Sequence, residues 1–371
     1  MTGRGRRSIA KSHLFGHEWL DYATVGWPTI VTAKVMGAAN VLERLVKLKR
    51  PGLGVLLVCA SLSLHGRATA QPVSFDGWLA QFRQEAAAEG ISAATLDKAL
   101  AGVQPIPRVI ELDRRQPEGR LTFREYNQRV LSPTRVERGR HLLREHRALL
   151  ERVAADYGVQ PRFIVALWGI ESTYGTFTGE YPVIGALATL AYDGRRASFF
   201  RKELLQALRI VDQGDVEPAQ MMGSWAGAMG QSQFMPSSYL AHAVDYDGDG
   251  HRDIWTSPPD VFASIAHYLA NAGWNDRHTW GRQVQLSDHL AAEAAGLEVV
   301  KPLPEWHALG VRRSNGADLP MVALDASLLR TDDGQGPAYL VYNNFRVLMA
   351  WNRSTYFALT VGELADLIEH G

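Results

Sequence analysis

The sequence predicts a mainly α fold of the α+β class. A helical body carries an embedded EF-hand-like loop, and a small β-containing module follows near the C-terminus. Three observations lead to this expectation. Residues 75–160 read as helices, a buried helix follows from Pro161 to Glu171, and residues 260–274 read as another. Asp245-Tyr-Asp-Gly-Asp-Gly-His-Arg-Asp253 has the acidic spacing of a calcium loop. Between 282 and 340 the pattern changes to short, Val-rich apolar runs broken by Gly and Pro, which reads as strands.

The chain has 371 residues, 46% of them apolar, enough for a large core and for two or three domains. Its formal charge of zero hides a split. Residues 1–70 hold ten Lys or Arg and three Asp or Glu, which leaves residues 71–371 with 29 basic and 36 acidic side chains. An acidic body argues against nucleic acid as a partner and against electrostatic docking on anionic lipid.

The basic N-terminus has a targeting explanation. Lys47, Lys49 and Arg50 precede the uncharged run Pro51 to Leu64, and Ala68-Thr-Ala70 follows. A positive region, a short apolar region and an Ala-x-Ala site together predict a secretory signal peptide over 36–70. The run is too short for a comfortable transmembrane helix. Translation is expected to start at Met36, with 1–35 untranslated or an unusual extension. Cys59 lies in the apolar region behind Val58, not behind a small residue, so cleavage after Ala70 is favoured over lipid anchoring. The mature chain then has no cysteine, and the periplasm is the expected location.

Within residues 71–160, Phe75-Asp-Gly-Trp-Leu-Ala-Gln-Phe has helical spacing, and Ser92 and Thr95 open short helices. Ser132-Pro133 supplies an N-cap and a first-turn proline for an amphipathic helix. Residues 161–281 are expected to form the catalytic core, opening at Pro161. Gly223 to Tyr239 reads as a small-residue loop entering a helix, and repeated Gly lets backbone approach a ligand closely. Its spacing matches no phosphate-binding pattern. A helix from Asp260 to Trp274, the β-containing module over 282–340, and a terminal segment 341–371 with a helix from Thr360 complete the reading.

Glu171 is the strongest candidate for chemistry. It ends the almost wholly apolar stretch Phe163-Ile-Val-Ala-Leu-Trp-Gly-Ile170. A helix apolar on every side is buried. A carboxylate in its last turn meets low-dielectric surroundings and the negative end of the helix dipole, and both raise its pKa. A Glu at a helix end is ordinarily solvated. Here eight residues without a charge precede it, and a second apolar run, Pro182 to Leu190, follows shortly after. A carboxylic acid still protonated near neutrality suits general-acid cleavage of a glycosidic bond.

The loop starting at Asp245 places acidic residues at positions 1, 3, 5 and 9 and Gly at 6. The candidate ligands are Asp245, Asp247, Asp249 and His251. Thr256 stands where a bidentate Glu belongs, and Asp260 could supply the missing carboxylate from a longer loop. The alternative is an Asx-rich turn without metal.

These residues resemble the membrane-bound lytic murein transglycosylase B family, glycoside hydrolase family 103. The matching pieces are Trp168-Gly-Ile-Glu-Ser-Thr-Tyr-Gly175, Ala188-Thr-Leu-Ala-Tyr192 with Arg195-Arg196, Gly223 to Tyr239, Asp245 to Trp255, and Ala266 to Trp274. Trp351-Asn-Arg-Ser-Thr-Tyr356 matches more loosely. The resemblance implies a lysozyme-like core and cleavage of the β-1,4 bond between N-acetylmuramic acid and N-acetylglucosamine, leaving 1,6-anhydromuramoyl ends. It implies that Glu171 is the single acid/base, that Ser224, Gln233, Tyr268 and Asn352 line the sugar cleft, and that Arg195 and Arg196 lie near the stem peptide's carboxylates. It also implies a monomer acting on peptidoglycan glycan strands, alone or beside other cell-wall enzymes, with no cofactor for chemistry and a structural Ca2+. The family usually has Tyr at the positions of Trp351 and Phe357. Aromatic faces remain there for sugar stacking, but two hydroxyl hydrogen bonds are lost or rerouted.

The chemistry fits what the sequence lacks. A retaining glycosidase needs a second carboxylate roughly 5 Å from the acid, and an inverting one needs a base farther away. Asp193 is the nearest acidic residue in sequence, and none is obviously placed for either role. One carboxyl can protonate the leaving oxygen and then take the proton of the sugar's own 6-hydroxyl. The rivals are a hydrolysing muramidase on the same fold, a non-catalytic peptidoglycan-binding protein, and a calcium-dependent structural module.

Overall fold

The computed structural model describes residues 73–115, 121–287, 290 and 294–370. The expected signal segment, Met36 and Cys59 lie outside the described residues. No helix among them is long and apolar enough to cross a membrane.

The first helices are α1 (Phe75–Ala88), α2 (Ala93–Ala99) and α3 (Pro107–Arg114). Ser92 caps α2, its Oγ accepting from the Thr95 amide at 3.2 Å. Thr95 therefore lies inside that helix and does not open another. α4 (Phe123–Val130) begins with a reciprocal capping box between Thr122 and Glu125, which satisfies two otherwise orphaned amides. Ser132 caps α5 (Pro133–Glu145), and Gly158, left-handed at φ 67°, ends α6 (Arg147–Tyr157).

α7 (Pro161–Ser172) runs through the first core, and every residue from Phe163 to Ser172 is buried. Full burial contributes roughly 1.5–3 kcal/mol for each large apolar side chain. α5, α6, α11 (Pro258–Asn271) and α14 (Thr355–Glu369) pack around it. α14 starts five residues before the expected Thr360, because Ser354 caps it by accepting from the Phe357 amide. α13 (Asn343–Trp351) leads into α14.

A second core joins α1–α3 to α8 (Val183–Asp193), α9 (Ala197–Asp212) and the Gly-rich segment that precedes α10 (Pro236–His242). The short strands β1 (Tyr181–Pro182) and β2 (Met222–Gly223) pair antiparallel beside it. Tyr268 and Trp351 are the half-buried aromatics in contact with both cores, so the seam between the cores runs beneath them.

The third core belongs to the small β module. It contains β3 (Gly281–Gln285), β4 (Lys301–Pro302), β5 (Arg312–Arg313), β6 (Asp325–Arg330), β7 (Ala338–Val341) and the short α12 (Leu303–Ala308). The strands form one antiparallel sheet in the order β4-β6-β7-β3-β5.

Candidate active site

Glu171 is the penultimate residue of α7, 8% exposed. The helix stops abruptly behind it. Thr173 and Tyr174 are both left-handed, at φ 51° and 57°, and Gly175 follows at 77°. Such conformations cost non-glycine residues of order 1–3 kcal/mol and persist only where their surroundings enforce them. The enforcing contacts are local. The Tyr174 ring covers Gly169, where an added Cβ would lie 2.5 Å from it, and its hydroxyl donates to the Arg135 carbonyl at 2.9 Å. Ser172 Oγ donates to the Trp168 carbonyl at 3.1 Å and accepts from the Gly175 amide at 3.0 Å.

The Gly-rich segment closes against this turn. A Cβ on Gly175 would sit 2.3 Å from Gln231 Oε1, so only glycine admits that side chain. Gln231 Oε1 accepts from Trp168 Nε1 at 2.8 Å, and its Nε2 donates to the Trp255 carbonyl at 2.8 Å. Gln231 thus ties α7 to the acidic loop. It carries no signal in the sequence that sets it apart from Gln233.

Burial raises the pKa of Glu171 to about 8, and a hydrogen bond from Trp351 opposes the rise. Trp351 Nε1 donates to Glu171 Oε1 at 2.6 Å. No other carboxylate or cation among the described residues contributes to that shift. The indole packs on Phe234 and Tyr268, with ring centroids 5.3 and 4.7 Å away. At position 351 the hydrogen bond expected to be lost or rerouted is supplied by the indole N–H. One expectation is corrected here. Phe357 is 2% exposed and belongs to the core, so it offers no face to a sugar.

The other expected cleft residues gather around the seam, with their polar groups engaged in building it. Ser224 is buried, and its Oγ accepts from the Ala228 amide at 3.0 Å. Gln233 is left-handed at φ 50°, and its Nε2 donates to the carbonyls of Thr178 and Gly230. Tyr268 donates to the Ala350 carbonyl at 2.9 Å, which fixes it to α13. Asn352 Oδ1 accepts from the Ser354 amide at 3.0 Å.

Arg195 and Arg196 lie in the turn between α8 and α9. Both bind Asp113 of α3, Arg195 through Nε at 2.6 Å and Arg196 through Nη2 at 2.7 Å. Burial pushes the Asp113 pKa up, but hydrogen bonds from the two guanidiniums outweigh it and hold the carboxyl below its ordinary range. The pair clamps α3 to the turn between α8 and α9. Asp193 likewise accepts from Arg114 at 2.8 Å.

In the acidic loop, Asp245, Asp247 and Asp249 bring one carboxylate oxygen each within 4.8 Å of one another. Backbone amides already shape the turn, Asp245 accepting from Gly248 at 2.8 Å and from Gly250 at 2.9 Å. Asp260 does not join them. Its two oxygens accept from the amides of Tyr246 and Asp253, both at 2.8 Å, so it braces the loop from inside. Asp253 caps the following turn through Trp255 and Thr256. His251 is exposed, and its amide donates to Asp249. The three clustered carboxylates suit a hard cation, with no bidentate partner beside them.

A family model described as the transglycosylase SLT domain matches residues 74–366. Among curated proteins, the membrane-bound lytic murein transglycosylase B of Escherichia coli (strain K12) is 33% identical over 247 residues, 66% of each chain. The chain thus spans about two-thirds of that relative's length. SltB3 from Pseudomonas aeruginosa, solved with NAG-NAM-pentapeptide, is 47% identical over 80% of each chain with a TM-score of 0.78. It was also solved with NAG-anhNAM-pentapeptide. The Escherichia coli lytic transglycosylase Slt35 in complex with calcium is 30% identical, with a TM-score of 0.68, over 78% of this chain and 92% of that one.

Proposed function

The chain belongs to the transglycosylase SLT domain family, and on that premise we propose that it is a peptidoglycan lytic transglycosylase. It cleaves the β-1,4 bond between N-acetylmuramic acid and N-acetylglucosamine and leaves 1,6-anhydromuramoyl ends. Glu171 is its single acid/base. What supports this reading is a buried carboxyl whose pKa is raised to about 8, with no other carboxylate among the described residues contributing to the rise. A double-carboxylate mechanism needs that second group; a substrate-assisted one does not.

The buried acid and its indole donor support the following steps. Protonated Glu171 gives its proton to the leaving glycosidic oxygen, while the substrate's N-acetyl group stabilises the cationic centre. The resulting carboxylate keeps the Trp351 hydrogen bond, so the charge formed in a buried site meets a donor already in place. It then takes the proton of the sugar's 6-hydroxyl, whose oxygen closes on the anomeric carbon. An intramolecular attack held in position can outrun water.

Ser224, Gln233, Tyr268 and Asn352 line the cleft, and glycan strands are the partner. Asp245, Asp247 and Asp249 hold a structural Ca2+ that plays no part in the chemistry. The periplasm is the site of action, reached through segment 36–70. Glu171→Gln tests the assignment. Turnover should fall by about 100-fold or more with folding and glycan binding retained, and retention of a tenth of the activity would refute it.

A further inference from the structure

His242 ends α10, and His267 and Asn271 lie one turn apart on the same face of α11. We propose that His242 Nδ1, His267 Nε2 and the Asn271 amide oxygen form a binding site for a borderline divalent cation of the Zn2+ or Ni2+ type, separate from the acidic loop.

The convergence of lone pairs is the observation that carries this. Asn271 Nδ2 lies 2.9 Å from His267 Nε2 and 3.4 Å from His242 Nδ1. The tautomer of His267 is fixed independently. Its Nδ1 is 3.0 Å from the His242 carbonyl, which can only accept, so Nδ1 bears the hydrogen and Nε2 the lone pair. An amide N–H must therefore face Nε2, and the same amide nitrogen meets His242 Nδ1. The two ring nitrogens thus share the Asn271 amide nitrogen as a common neighbour.

Three features make that place a ligand site as well as a satisfied pair of rings. A ring N–H donated to a backbone carbonyl is the usual device that orients a metal-binding imidazole. Two nitrogens this close to a common point reach about 2.1 Å from a cation placed there with roughly an ångström of side-chain movement. With the Asn271 side chain swung aside, its amide oxygen can join the two nitrogens as a third ligand. Asn271 is exposed, so a cation has access. Imidazole donors select Zn2+, Ni2+ or Cu2+ over the hard cations suited to the acidic loop. The His242 ring also packs on Tyr268 at 4.5 Å, which places the site next to the cleft aromatics.

The test is calorimetric titration of the untagged protein with ZnCl2 in excess calcium. One equivalent should bind, and His242→Ala and His267→Ala should each weaken it at least tenfold. Asp245→Asn with Asp249→Asn should leave it unchanged. Should either His variant unfold, the Cu2+ electron paramagnetic resonance spectrum of the unmodified protein gives the same answer through coupling to two imidazole nitrogens. Zinc binding that survives both His substitutions, that is lost with the acidic-loop variant, or that is absent overturns the proposal, as does a Cu2+ spectrum without nitrogen coupling.

Discussion

Trp351 Nε1 donates a 2.6 Å hydrogen bond to Glu171 Oε1 across 180 residues of chain. The C-terminal segment thereby returns to complete the site that α7 begins. The bond favours the ionised carboxyl, against the larger effect of burial. A buried acid without a donor would resist giving up its proton; one with several donors would ionise too early.

Trp351→Phe should therefore raise the Glu171 pKa above its value of about 8. A hydrogen bond to a charged group is worth about 1.5–3 kcal/mol, or roughly one to two pH units. The basic limb of the pH–rate profile should move upward by that order, while turnover falls because the anionic intermediate form is less well held. Trp351→Tyr should lie closer to the unmodified enzyme, since a hydroxyl can also donate. Identical pH profiles for Phe and Trp at this position would remove the proposed role.

Burial of Glu171 also has a signature in stability. The folded chain keeps the proton up to about pH 8, whereas the unfolded chain releases it near 4.5. The native state binds more protons in that window, so stability falls as pH rises through it and levels off above. Glu171→Gln has no such proton to lose. It should be the more stable protein at pH 9, by on the order of 5 kcal/mol, and nearly equal at pH 4. Denaturant melts of both proteins at the two pH values check this, and parallel curves would contradict the buried-acid description.

Calcium should raise the melting temperature without being needed for turnover, because a ligand of the native state stabilises by mass action. Asp245→Asn with Asp249→Asn should abolish the shift. Asp260→Asn should lower the melting temperature with or without calcium, since the carboxylate braces the amides of Tyr246 and Asp253. A shift that vanished only in the Asp260 variant would restore it as a ligand.

Asp113→Ala leaves Arg195 and Arg196 without their shared carboxylate. The loss should destabilise the protein by about 1–3 kcal/mol, less than for a fully buried pair because Arg195 is half exposed. Chemical denaturation measures it. If the arginines instead serve the stem peptide, stability should stay level while the Michaelis constant for peptide-bearing substrate changes.

Much of this was legible in the sequence. The unbroken apolar run up to Glu171 announces a buried helix because no face of it could tolerate water. Ser132-Pro133 marks a helix start because cap and ring chemistry are local. The parts that were not legible depend on distant chain. Nothing near Trp351 shows that its indole reaches residue 171, and Arg195-Arg196 reads as a cationic pair until Asp113, 82 residues earlier, is seen between them. Asp260 has the right charge and nearly the right spacing for a metal ligand. Only the fold shows its oxygens already held by two amides.

The chemistry of the product tests the single-acid mechanism most directly. Digestion of purified sacculi, with mass analysis before and after borohydride, should release muropeptides ending in 1,6-anhydromuramic acid. Those ends should be one water lighter than hydrolysis products and resistant to reduction. Predominantly hydrated, reducible ends would mean that water reaches the anomeric carbon before the 6-hydroxyl, and would contradict the single-acid, substrate-assisted mechanism.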